Sequence, residues 1–170
     1  MKQSQLKMIN SSLFVDMDMV LVDLDKGLRK LDPTYHIKDT APLINPKLKQ
    51  VILDTPDFWA NLPKMSDFDD LWEVVSKLNP KILTANTIWD PRAKCQKWEW
   101  IQKNCEVPNY NFYCVLRDEK QLFAKTNGHS NILIDDYDLN CREWEAKGGI
   151  AILHKSAKNT IKELKLLLNV

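Results

Sequence analysis

Five short apolar runs constrain this chain more than any other feature. They are Ser12–Val15, Lys81–Thr84, Asn111–Leu116, Asn131–Ile134 and Ile150–Leu153, and each is bounded by polar or turn-forming residues. Runs of this length and make-up predict strands buried on both faces of a parallel sheet. Helical segments fall between them. Pro91 to Asn104 carries Cys95, Trp98 and Ile101 at helical spacing, with Pro91 suited to a first turn. Leu139 to Lys147 stops at Gly148-Gly149, and Ser156 is placed to cap a last helix running towards Leu168. Alternating strands and helices predict an α/β domain built on a five-stranded, mostly parallel sheet.

Residues 19–70 break this rhythm. They hold Pro33, Pro42, Pro46, Pro56 and Pro63 and no clear strand. A structureless loop of that length is improbable in a compact domain. The expectation is a small helical cap, 19–70, inserted after the first strand of a core formed by 1–18 and 71–170. The whole chain has 170 residues, which suits one domain with a small insertion. A formal net charge of +1 does not advertise binding to extended nucleic acid or to an anionic membrane. The polar N-terminus lacks the apolar stretch of a signal peptide, and no run approaches a membrane span. Cys95, Cys105, Cys114 and Cys141 form no C-x-x-C pair, so free thiols in a reducing cytoplasm are expected. His36, His129 and His154 have no metal-ligand spacing.

The chemistry gathers at strand ends. Asp16-Met17-Asp18 follows the first apolar run, and alternate residues of an extended chain point the same way. Alone, such a pair is more readily a solvated turn than a site. Asp135-Asp136 follows the fourth run in the same manner. Two strand ends that each deliver paired acids would repel unless a cation sat among them, and hard carboxylate oxygens suit magnesium. Thr84 ends the second run and Lys125 precedes the fourth. A hydroxyl and an ammonium are what a phosphoryl group needs around it, although each residue taken singly is uninformative.

In order, strand context and spacing, Asp16-Met17-Asp18 with Val20, Thr84, Lys125 and Asp135-Asp136 resemble the motifs of haloacid dehalogenase (HAD) superfamily phosphatases. The likeness extends to the 5'(3')-deoxyribonucleotidases through Phe58-Trp59-Ala60-Asn61-Leu62-Pro63, Ile82-Leu83-Thr84-Ala85, Lys97-Trp98-Glu99-Trp100-Ile101 and Trp144 to Ile150, and spans most of residues 12–155. The resemblance implies a HAD-like Rossmannoid fold and a magnesium-dependent phosphomonoester hydrolase working through an aspartyl-phosphate, with (deoxy)nucleoside monophosphates as substrates. It implies Asp16 as nucleophile and metal ligand, and Asp18 as general acid and base with its carbonyl on the metal. Thr84, the Ala85 amide, Lys97 and Lys125 would hold phosphate. Asp135 would bind magnesium directly, and Asp136 would orient its water ligands or complete the site. Relatives of this kind are often homodimers. Phe58 and Trp59 could stack a base or pack the cap against the core, and the residues leave both readings open. The family glycine after the second aspartate is Met19 here. Two other readings stand beside this one: a HAD phosphatase for another small phosphoester or a nucleic-acid phosphate end, and a non-catalytic binding module on a HAD scaffold.

Overall fold

A computed structural model describes residues 11–35 and 45–169. His36, Pro42 and the first ten residues, on which part of the cap and signal-peptide readings fall, lie outside the described residues. Strand β1 (Leu13–Val15) is followed by helices α1 (Leu24–Leu31), α2 (Pro46–Asp54) and α3 (Phe68–Val75). Next come β2 (Lys81–Ala85), α4 (Ala93–Asn104), β3 (Phe112–Val115) and a 3-10 helix, Arg117–Phe123. The chain ends with a small hairpin of β4 (Lys125–Thr126) and β5 (His129–Ser130), then β6 (Ile132–Asp135), α5 (Asp138–Ala146), β7 (Ile150–Leu153) and α6 (Ala157–Leu168).

The five expected strands form one sheet in the order β3-β2-β1-β6-β7, every pairing parallel. The β4-β5 hairpin, which the apolar pattern does not announce, is separate and antiparallel. After β1 the chain builds outward on one side through β2 and β3, then returns to the other side as β6 and β7. That reversal leaves a crevice at the carboxyl ends of β1 and β6, where open α/β sheets bind ligands. Both central strands are buried along their whole length, as their unbroken apolar runs require.

The described part of 19–70 contributes helices and no strand of the sheet. Local chemistry sets their ends. Asp23 caps α1 by accepting from Lys26 N at 2.8 Å, and Asn45 caps α2, with Pro46 in the first turn, by accepting from Leu48 N at 2.8 Å. Leu24, Leu28, Leu48 and Ile52 join the same hydrophobic core as Leu13 and Val15. Helix α3 runs across the boundary drawn at residue 70 and packs on α6. Asp67 strengthens that contact by accepting from Ala157 N at 2.6 Å. Ser156 caps α6 as expected, accepting from Asn159 N. No described helix is long and apolar enough to cross a membrane.

Helix α4 turns inward a face shifted from the one read at Cys95, Trp98 and Ile101, of which Ile101 is fully buried. Cys95 is exposed and Trp98 half-buried, whereas Ala93, Gln96, Lys97, Trp100 and Ile101 are buried. Trp100 anchors that face by donating to Leu62 O at 2.8 Å. The inner face holds two polar residues, Lys97 at the crevice and Gln96 bonded to the Trp59 N–H, and they interrupt the apolar period.

Candidate active site

Asp16 stands one residue beyond β1, and its N–H donates to Ile134 O at 2.9 Å, extending the pairing with β6. Asp135 is the last residue of β6, so the two carboxylates meet across adjacent strand ends. Asp16, Asp135 and Asp136 each offer an oxygen within 4.8 Å of the others. The turn beyond Asp16 is tight. Met17 O accepts from Leu21 N and Val22 N, both at 2.9 Å, and Met19 N donates to Val22 O at 2.7 Å. Met19 sits at φ 61°, the left-handed conformation that favours glycine.

Lys120, a residue absent from the sequence-based site, supplies the countercharge. It is buried, donates from Nζ to Asp135 Oδ2 at 2.8 Å and stands 2.8 Å from Asp16 Oδ1. The contact to Asp16 is an ion pair, so one ammonium bridges the two carboxylates. Lys125, assigned to this role by its spacing, lies elsewhere. It is exposed on β4, before the amino end of β6, whereas Asp135 closes the carboxyl end. Four strand residues at about 3.3 Å each separate those ends. The Lys125 side chain instead lies over Gly148, just past α5. A Cβ on Gly148 would stand 2.5 Å from Lys125 Cε, and Gly148 has φ +82°. A cation there complements a helix C-terminus. Lysine has no spacing signature of its own, so only the path of the 3-10 helix back along the sheet distinguishes residue 120 from residue 125.

Of the residues expected to hold phosphate, Thr84 and Ala85 meet at the buried ammonium of Lys97. Lys97 Nζ donates to Asp18 Oδ2 at 2.5 Å, to Ala85 O at 3.0 Å and to Thr84 Oγ1 at 3.2 Å. Asp18 Oδ1 has no partner. Phe58 and Trp59 are only 6% and 1% exposed. They meet edge to face at 5.0 Å between ring centroids, and the Trp59 indole donates to Asp90 Oδ2 at 2.9 Å. Their faces are spent on packing, which leaves neither a surface on which a base could stack.

Burial pushes the Asp16 carboxyl up to about 7; Lys120 opposes this, while Asp135 and Asp18 add to it. Asp136 rises to about 8, again by burial first and then by repulsion from Asp16 and Asp135. Burial works against the Lys120 ammonium, but Asp16 and Asp135 overcome it and hold its pKa above the ordinary lysine value. Such a cluster is short of positive charge, and it carries a buried carboxylate oxygen, Asp18 Oδ1, with no hydrogen-bond donor among the described residues. Both features fit a divalent cation bound by oxygen. The carboxylates differ in availability. Asp135 Oδ1 accepts from Tyr137 N at 2.9 Å and Asn140 Nδ2 at 3.1 Å, and Oδ2 accepts from Asn140 Nδ2 at 3.0 Å and from Lys120. Asp136, half-buried, has no such set of donors turned on it in the described residues.

No protein-family profile and no curated protein sequence matches the chain. Solved structures do. A hydrolase from Streptococcus pneumoniae TIGR4 aligns with TM-score 0.50 and 13% identity over 95% of this chain and 99% of its own. A HAD family hydrolase from Deinococcus radiodurans R1, solved with bound phosphate and sodium, gives TM-score 0.54 and 10% identity over 89% and 87%. YfnB from Bacillus subtilis, described as a HAD-hydrolase and bound to magnesium, gives 0.53 and 9% over 95% and 99%. At these identities the likeness is one of fold, and the fold of this chain is that of the HAD-like hydrolases.

Proposed function

We propose that this chain is a magnesium-dependent phosphomonoester hydrolase that works through an aspartyl-phosphate on Asp16. The observation that carries the reading is the buried group of Asp16, Asp135 and Asp136 around Lys120 at the carboxyl ends of β1 and β6. Asp16, the Asp18 carbonyl and Asp136 would hold the cation. Asp135, engaged by Lys120, Asn140 and the Tyr137 amide, is better suited to fixing Lys120 than to ligating metal directly, which reverses the roles that the resemblance implies for the two acids. When bound, magnesium neutralises phosphate charge and lowers the affinity of Asp16 for its proton.

Asp16 attacks phosphorus through a carboxylate oxygen, and the bond to the leaving oxygen breaks. Asp18 gives its proton to that oxygen, then takes one from the water that attacks the acyl phosphate. The bond between phosphorus and Asp16 breaks, and inorganic phosphate leaves. Lys120 offsets the charge carried by Asp16 and Asp135. Thr84, the Ala85 amide and Lys97 meet the phosphate oxygens. Lys97 already bridges Asp18 and Thr84, so an arriving phosphate competes with Asp18 for one ammonium.

We further infer that residues 19–70 act as the cap that selects the leaving group, and that the substrate is a nucleoside monophosphate. The resemblance of residues 58–63 to the deoxyribonucleotidase cap supports this. The burial of Phe58 and Trp59 favours the second reading, a phosphatase for another small phosphoester. Phosphate release with magnesium from a panel of nucleotides and sugar phosphates decides between them. The hydrolase reading requires turnover that Asp16→Asn abolishes; turnover of the wild-type kind in that variant would remove its basis.

A further inference from the structure

Lys97 has no exposed surface, and the three acceptors of its ammonium, on Asp18, Thr84 and Ala85, account for all three of its protons. The Trp59 indole lies against the same ammonium, its ring centroid 5.3 Å from Nζ. This ring is held in place. Its Nε1 donates to Asp90 at 2.9 Å, and its backbone N–H donates to Gln96 Oε1 at 3.1 Å. Asp90 is itself buried and accepts from Arg92 N at 3.0 Å, Nε at 2.9 Å and Nη2 at 2.9 Å. Arg92 Nη2 also donates to Ile52 O at 3.1 Å, near the end of α2. The loop after β2, the end of α2 and Trp59 therefore form one hydrogen-bonded unit beneath a lysine of the site.

We propose that Trp59 is a positioning residue for Lys97: its indole face, locked by Asp90 and Arg92, is the floor that holds the ammonium where it meets a phosphate oxygen. The proposal rests on the phosphohydrolase reading. An ammonium over an indole face in a desolvated setting is attracted by the ring quadrupole. Without the ring, a cavity opens below Nζ. Asp18 becomes its dominant anchor, and the ammonium follows that carboxylate instead of standing between Thr84 and the Ala85 carbonyl. The same packing that removes Trp59 from base stacking thus gives it a part in phosphate binding.

The test is titration calorimetry with inorganic phosphate in the presence of magnesium, with thermal melts in parallel, on the wild type, Lys97→Met, Trp59→Phe, Trp59→Leu and Arg92→Met. Phenylalanine keeps an aromatic face and loses the bond to Asp90; leucine loses both. The expected result is phosphate binding weakened about tenfold in Trp59→Leu, the order of a desolvated cation–π contact. Trp59→Phe should bind within a few-fold of wild type although it melts earlier. Arg92→Met should show a smaller loss than Trp59→Leu, and Lys97→Met the largest. Equal binding by Trp59→Leu and wild type, while Lys97→Met is impaired, overturns the proposal, as does an equal loss in the phenylalanine and leucine variants. If Trp59→Leu does not fold, wild-type phosphate affinity in Arg92→Met overturns it instead. A wild type that binds no phosphate in magnesium overturns the phosphohydrolase reading itself.

Discussion

Replacing Lys120 by methionine separates the two lysines that the sequence confuses. The ammonium lies 2.8 Å from carboxylate oxygens of both Asp16 and Asp135. At an effective dielectric constant near 20, each contact is worth about 6 kcal/mol before desolvation. Burying the three groups offsets most of that, so the measurable quantity is the penalty for leaving the acids unpaired, about 3–5 kcal/mol. The penalty without metal should be larger near pH 8 than near pH 5, because the raised Asp16 carboxyl carries its charge more fully at pH 8. Magnesium should recover part of it. Turnover should fall about 10²–10³-fold, the scale of losing one charge-stabilising group. Lys125→Met removes an exposed side chain and should change stability by no more than about 0.5 kcal/mol, with turnover intact. The assays are chemical denaturation at the two pH values and phosphate release from p-nitrophenyl phosphate. Loss of turnover in Lys125→Met with retention in Lys120→Met would refute the assignment.

The raised carboxyls of Asp16, about 7, and Asp136, about 8, fix a sign for pH dependence. A folded pKa above the unfolded value means that stability is fully present below about pH 4 and is lost as pH rises through 7 to 8. The magnesium-induced rise in Tm should therefore be greater at pH 8 than at pH 5, and a larger rise at pH 5 would contradict the acidic cluster as the metal site. Met19→Gly relieves a left-handed φ of 61°, a gain of about 1 kcal/mol. It also gives up the packing of a half-buried side chain against the core, so denaturation should show a net change within about 1 kcal/mol. A loss beyond about 2 kcal/mol would assign Met19 a packing role that its conformation does not suggest.

The sheet was legible because β1 and β6 are buried on both faces, and burial leaves an unbroken apolar run in the sequence. The acids were legible for the same reason: Asp16 and Asp135 interrupt those runs where the strands reach the crevice. What failed to show depended on three-dimensional paths. A lysine ten residues before Asp135 and one fifteen before it look alike until the 3-10 helix carries Lys120 beneath both carboxylates. On α4, Gln96 is buried against the Trp59 N–H and Lys97 against Asp18 and Thr84, so two polar residues shift the inner face from the one a hydrophobic period selects. Phe58 and Trp59 read equally as stacking or packing residues, and their bonds and burial place them in the core. The pairing of Asp135 with Asn140 and Lys120, which directs attention to Asp136 for metal, has no sequence signature.

The central claim is covalent, and one measurement addresses it directly. Protein mixed with p-nitrophenyl phosphate and magnesium is quenched in acid during turnover, digested and mapped by mass spectrometry. One phosphoryl group is expected on the peptide containing Asp16, removed by hydroxylamine as an acyl phosphate should be, and absent without magnesium and in Asp16→Asn. A phosphoryl group on any other residue, or full turnover by the Asp16→Asn protein, would contradict that claim.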